Sequence, residues 1–76
     1  MDKIVRYLSK IAKHLEISFT WHHNEVEKKY YVRFYNPRLK KGIIRDIPEI
    51  LLADDKFEPR HVCKQIVKDI ANALID

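Results

Sequence analysis

A chain of 76 residues has room for one domain, and a core of that size removes only roughly 60% of the unfolded chain's surface from water. At 46% hydrophobic and 11% aromatic it is too apolar for a disordered tail, its single glycine (Gly42) excludes a glycine-rich phosphate loop, and its single cysteine (Cys63) excludes a disulfide scaffold. The formal charge of +4 is unevenly spread: residues 1–45 carry eleven Lys/Arg against four Asp/Glu, and residues 46–76 four against seven. Such asymmetry suggests an oriented field that attracts an anionic partner.

In chain order, Asp2 is placed to cap a first helix. Ile4, Val5, Leu8, Ile11, Ala12 and Leu15 follow helical spacing and form one apolar stripe, with Lys3, Arg6, Lys10, Lys13 and His14 opposite. A helix is predicted over residues 2–15. The period then drops to two. Ile17, Phe19 and Trp21 alternate with Ser18, Thr20 and His22, and after the polar break Asn24-Glu25-Val26-Glu27 a second alternation sets Tyr30, Val32 and Phe34 against Tyr31, Arg33 and Tyr35. These runs predict an antiparallel hairpin. Asn36-Pro37 ends the second strand, since proline cannot continue a ladder. Arg38, Lys40, Lys41 and Gly42 read as a basic loop, and Ile43-Ile44 as a short third strand.

Asp46 and Glu49 have the spacing of a capping box around Pro48, which predicts one or two helical turns ending near Asp54; a buried strand over 49–53 is the alternative. Glu58-Pro59 opens a final helix over 59–75, whose apolar face is Val62, Cys63, Ile66, Val67, Ile70, Ala73 and Leu74. The chain shows no internal repeat. The predicted fold is a single α+β domain over residues 1–76, a two-layer sandwich with two amphipathic helices packed on one face of a small antiparallel sheet, in the order α-β-β-(short β or helix)-α.

Four sets of residues stand out as candidate binding groups. The first is the sheet face away from the helices, where Tyr31 and Tyr35 flank Arg33. Aromatics beside an arginine stack bases and hold phosphates on RNA-binding sheets, although strand tyrosines also stabilise sheets without binding anything, and such a face also suits a homodimer. The second is the row Lys3, Arg6, Lys10 and Lys13, which can track a phosphate backbone or be a solvated helix face. The third is the loop cluster Arg38, Lys40, Lys41 with Arg45. The fourth is Arg60 and His61, cations at the positive end of a helix dipole, where they suit a visiting anion or are compensated by Asp54, Asp55 and Glu58.

Metal and catalytic chemistry are not expected. His22 and His23 point to opposite sheet faces, Cys63 belongs to an apolar stripe, and no serine or cysteine is set beside a histidine and a carboxylate. No apolar run approaches the roughly 20 residues that span a bilayer, and no targeting segment is visible, so a cytoplasmic protein with no membrane partner and no cofactor is expected.

The element order resembles that of the double-stranded RNA-binding domain. That resemblance implies phosphate contacts from the start of the last helix, at Arg60, His61 and Lys64. The run Asp46–Asp55 has no counterpart in that pattern, and the Gly- and Lys-rich entry to the second helix is missing. The expected function is that of a small non-enzymatic binding protein, leaning to RNA or DNA. The alternative is a protein-interaction module, such as a regulator, inhibitor or accessory subunit, docking through its open sheet face.

Overall fold

The computed structural model describes residues 1–54 and 56–75. Six elements follow one another: α1 (Asp2–Leu15), β1 (Ser18–Asn24), β2 (Lys29–Asn36), β3 (Lys41–Pro48), the single turn α2 (Glu49–Leu52) and α3 (Pro59–Ala73). The three strands form one antiparallel sheet in the order β1-β2-β3. α1 packs on β1, α3 packs on β3, and the two long helices touch each other. The result is the expected α+β architecture, with helices laid on one side of the sheet.

The core lies between the layers. α1 contributes Ile4, Leu8 and Ala12, α3 contributes Cys63, Ile66 and Ile70, and the sheet contributes Val32, Phe34 and Ile47. Phe34 is fully buried and stacks on Phe19 of the neighbouring strand, ring centres 5.0 Å apart. Burial of each large side chain contributes about 1.5–3 kcal/mol, so these few residues dominate the stability of a chain this small.

α1 ends in a Schellman closure. Glu16 takes a left-handed conformation (φ 58°), its N–H bonds to the Lys13 carbonyl at 3.2 Å, and the Ile17 N–H bonds to the Ala12 carbonyl at 3.0 Å. Ile17 is thereby pressed into the core. Asp2 is the first helical residue instead of the cap; Met1 holds the cap position, and Asp2 favours the helix only through the dipole.

The two hairpin turns share one construction. The segments Asn24-Glu25-Val26-Glu27-Lys28-Lys29 and Asn36-Pro37-Arg38-Leu39-Lys40-Lys41 both begin on an asparagine and carry a left-handed lysine fifth, Lys28 at φ 56° and Lys40 at φ 54°. Each asparagine side chain accepts from main-chain N–H groups of its own turn: Asn24 from Glu27 at 2.9 Å, Asn36 from Arg38 at 2.9 Å. The basic loop of residues 38–41 is therefore the corner of a second hairpin.

β3 is eight residues long, not the two-residue stub expected from Ile43-Ile44. The capping box at Asp46 does not form either. Asp46 lies within β3, on the open sheet face, where its carboxylate meets the Lys29 ammonium at 3.1 Å. The helical turn begins after Pro48, whose extended backbone ends the strand. α3 begins at Pro59, where the missing proline N–H costs nothing.

α1 and α3 run parallel. Lys3 and Tyr7 line one groove with Pro59, Arg60, Cys63 and Lys64, while Leu15 lies with Leu74 and Ile75 at the far end. No helix among the described residues is long and apolar enough to cross a membrane.

Candidate nucleic-acid interface

The two-layer arrangement sorts the charged side chains by surface. On α1 the helical period turns Ile4, Leu8 and Ala12 toward the sheet, which leaves Lys3, Arg6, Lys10 and Lys13 exposed on the opposite side. On α3, burial of Cys63, Ile66 and Ile70 leaves Arg60, Lys64 and Lys68 exposed. Among the described residues none of these seven cations makes an ion pair with a carboxylate. The helix layer thus presents a continuous basic surface.

Of the two carboxylates within these helices, Asp69 is turned away from that surface, while Asp2 is exposed beside it, four residues before Arg6. Asp69 sits on the flank of α3 next to β3 and accepts from the Arg45 guanidinium at 2.8 Å and from Gln65 at 3.3 Å. The Arg45 contact holds its carboxyl below the usual carboxylate range, against a smaller opposing effect of burial and with a still smaller contribution from Gln65. Asp2 lies in the first turn of α1. The acidic character of the C-terminal half is therefore not spread over α3. It sits at Asp46 on the sheet, at Glu49 in α2, at Asp54 and Glu58 in the loop before α3, and at the Arg45-bound Asp69. Asp55 lies outside the described residues.

At the start of α3, Glu58 approaches His61 at 3.6 Å, both exposed, whereas among the described residues no carboxylate pairs with Arg60. Cys63 is buried beneath Arg60 and Lys64, and desolvation pushes its thiol up, the direction that disfavours a nucleophilic thiolate.

The sheet-face set is present as expected but on the other side of the molecule. Cross-strand register puts Ser18, Tyr35 and Gly42 in one row, Thr20, Arg33 and Ile44 in the next, and His22, Tyr31 and Asp46 in a third. All lie on the face away from the helices. Tyr31 is not a free platform. Its ring stacks on His22 with centres 5.3 Å apart, and its hydroxyl donates to Glu27 at 2.6 Å, which raises its pKa. Tyr35 leans over Gly42; a Cβ there would lie 3.2 Å from the Tyr35 ring. Arg33 lies between the two tyrosines with no carboxylate partner among the described residues.

The turn set sits at a third place. Arg38 reaches back to the end of α1, 3.8 Å from Glu16 and 3.4 Å from the Leu15 carbonyl, and Lys40 and Lys41 are exposed at the β2–β3 corner. Of the residues singled out from sequence, the structure thus brings together Lys3, Arg6, Lys10, Lys13, Arg60 and His61. It separates them from Tyr31, Arg33 and Tyr35 by the thickness of both layers, and sets Arg38, Lys40 and Lys41 at one end. Sequence reasoning reached Lys64 only through the resemblance and missed Tyr7 and Lys68 as members of the basic surface. The signal was available in the phase of α3, where Arg60, Lys64 and Lys68 recur every fourth residue.

No protein-family model matches the chain, and no curated protein or solved structure matches it either.

Proposed function

We propose that the chain binds nucleic acid through its helix layer, by contacts to the phosphate backbone. One observation carries the reading: seven cations with no carboxylate partner among the described residues stand on the outer side of two parallel helices, and Asp69 of α3 is held off that side by Arg45. The row on α1 extends about 15 Å, which corresponds to four or five steps of roughly 3.4 Å along a duplex strand. Among the described residues Tyr7 is the one aromatic side chain on this face, so base stacking is a local feature and the main contact is sequence-independent.

Fluorescence anisotropy with labelled duplex and single-stranded DNA and RNA tests this. The expected result is binding on the order of 1–100 μM that weakens steeply with salt, and a slope of log K against log salt that falls by about 0.9 for each contacting cation removed. Lys10→Glu/Lys13→Glu abolishes binding while leaving the fold intact by circular dichroism. Absence of binding to every nucleic acid at low salt overturns the proposal.

A second reading rests on the opposite surface. Tyr35 and Ile44, 43% and 49% exposed, lie in adjacent rows of the open sheet face and suit a protein partner or a second copy. Sedimentation equilibrium distinguishes self-association, which Ile44→Lys abolishes, from a monomer.

A further inference from the structure

Within the basic surface one groove lies between the two helices. The N-terminal halves of α1 and α3 diverge around a groove of about 500 Å³ lined by Lys3, Tyr7, Pro59, Arg60, Cys63 and Lys64. That volume falls within the range of small-molecule sites, roughly 300–1,000 Å³. Lys3 and Tyr7 are four residues apart and so lie on one ridge of α1; Arg60 and Lys64 are four apart on the facing ridge of α3. The buried Cys63 lies with Pro59 between them. Tyr7 is 49% exposed, so its ring is both anchored and available.

The lining combines two chemistries. Its walls are mainly apolar, with one aromatic ring, and three cations stand around the groove with no carboxylate among the described lining residues. An apolar site without the cations suits an acyl chain, and a cationic site without the ring suits an inorganic anion. A flat ring system joined to a phosphate matches both at once: the ring lies against Tyr7 and Pro59, and the phosphate lies within reach of Lys3, Arg60 and Lys64. We infer that the groove between α1 and α3 takes one phosphorylated nucleoside unit, with the base on Tyr7 and the phosphate held by Lys3, Arg60 and Lys64. Such a unit comes either as a free nucleotide or as an unpaired nucleotide at the end of a strand. The second form rests on the backbone-binding reading above, since the same three cations belong to both surfaces.

Two titrations of the full chain followed by ¹H–¹⁵N correlation spectra test the inference. In the first, adenosine 5′-monophosphate is compared with inorganic phosphate and with adenosine. Saturable shifts of the Tyr7, Arg60, Cys63 and Lys64 amides are expected for the nucleotide, at concentrations about ten-fold lower than for either half alone. In the second, a duplex with a one-nucleotide 5′-phosphorylated overhang is compared with the blunt duplex. Tighter binding of the overhang, lost in Tyr7→Ala and kept in Tyr7→Phe, supports the strand-end form. Equal binding of both duplexes, with the nucleotide still seated in the groove, supports the free-nucleotide form. If the duplexes bind but the nucleotide shifts no groove amide more than phosphate does, the groove inference is overturned and the backbone reading stands. If the nucleotide binds while neither duplex does, the backbone reading fails and the groove remains as a small-molecule site. Failure of every probe overturns both.

Discussion

The side chain of Asn36, at the end of β2, donates its Nδ2–H to the main-chain carbonyl of Leu74 at 2.7 Å, joining the sheet to the last turn of the C-terminal helix. Asn36 is only 3% exposed, and its Oδ1 accepts from the Arg38 and Leu39 amides at 2.9 and 3.4 Å, so one buried amide group holds a turn and a helix end together.

Asn36→Ala leaves a helix-terminal carbonyl and turn amides without partners, and is expected to cost about 2–4 kcal/mol in urea unfolding. Asn36→Asp keeps the acceptor but removes the donor and buries a charge, so it destabilises at least as much. Equal stability of Asn36→Asp and wild type at neutral pH contradicts this account.

Phe34→Ala empties the centre of the core, with an expected loss of about 3–5 kcal/mol. A chain of this length has about 4–11 kcal/mol in total, so the variant is expected to show a broad, low-temperature melt by circular dichroism. Phe34→Leu retains most of the volume and a cooperative transition.

Among the described residues, Glu16, Lys28 and Lys40 hold left-handed backbone without being glycine, each at a sharp corner of the chain. Replacing Glu16 or Lys28 by glycine relieves about 1 kcal/mol of steric cost, partly offset by the entropy of the unfolded chain, so the melting temperature rises by a few degrees. Lys40→Val, whose branched side chain disfavours this conformation most, lowers it. Loss of stability in Glu16→Gly is the outcome that contradicts this assignment.

The Arg45–Asp69 contact gives stability a pH dependence of definite sign. The Asp69 pKa is lowered from its ordinary value of 3.8, so its contribution is complete above that value and is lost as pH falls through the lower, folded-state value. The stability gap between wild type and Arg45→Met is therefore widest near neutrality and closes below about pH 4. A gap that widens on acidification contradicts this sign.

Arg33→Ala and the pair Tyr31→Ala/Tyr35→Ala lie on the surface opposite the basic helices. Both are expected to leave nucleic-acid affinity within about two-fold of wild type, at a small cost in sheet stability for the tyrosines. A ten-fold loss in either places the interface on the sheet.

Helix spans and strand faces were legible because each has a clean period. Ile4, Leu8 and Ala12 repeat at helical spacing, and Val32 and Phe34 alternate with Arg33 and Tyr35. β3 was legible only as its middle. Ile43 and Ile47 face the helices, but Arg45 stands between them on the same face, its charge carried out to Asp69, and Ile44 is apolar on the open face. The alternation is thereby cancelled in both phases. The turns were obscured for a different reason: their left-handed positions carry Lys and Glu where glycine is the usual mark. Net charge by half-chain does not resolve surfaces, because it ignores that Asp69 is turned toward β3 and that Asp46 is on the sheet.

A three-stranded sheet leaves β1 and β3 each with one side unpaired, and the two sides are unequally guarded. At β3 the Arg45 guanidinium donates to the Ile44 carbonyl at 2.8 Å while bound to Asp69, and Pro48 closes the strand. An incoming chain there meets a charged group that has to be displaced. β1 offers Ser18 through Asn24 with no Lys, Arg, Asp or Glu, with His23 drawn across to Glu49, and with Trp21 43% exposed. Aggregation by strand addition is therefore directional in this protein: it begins at β1, and a lysine at Thr20 or Trp21 is the substitution that suppresses it.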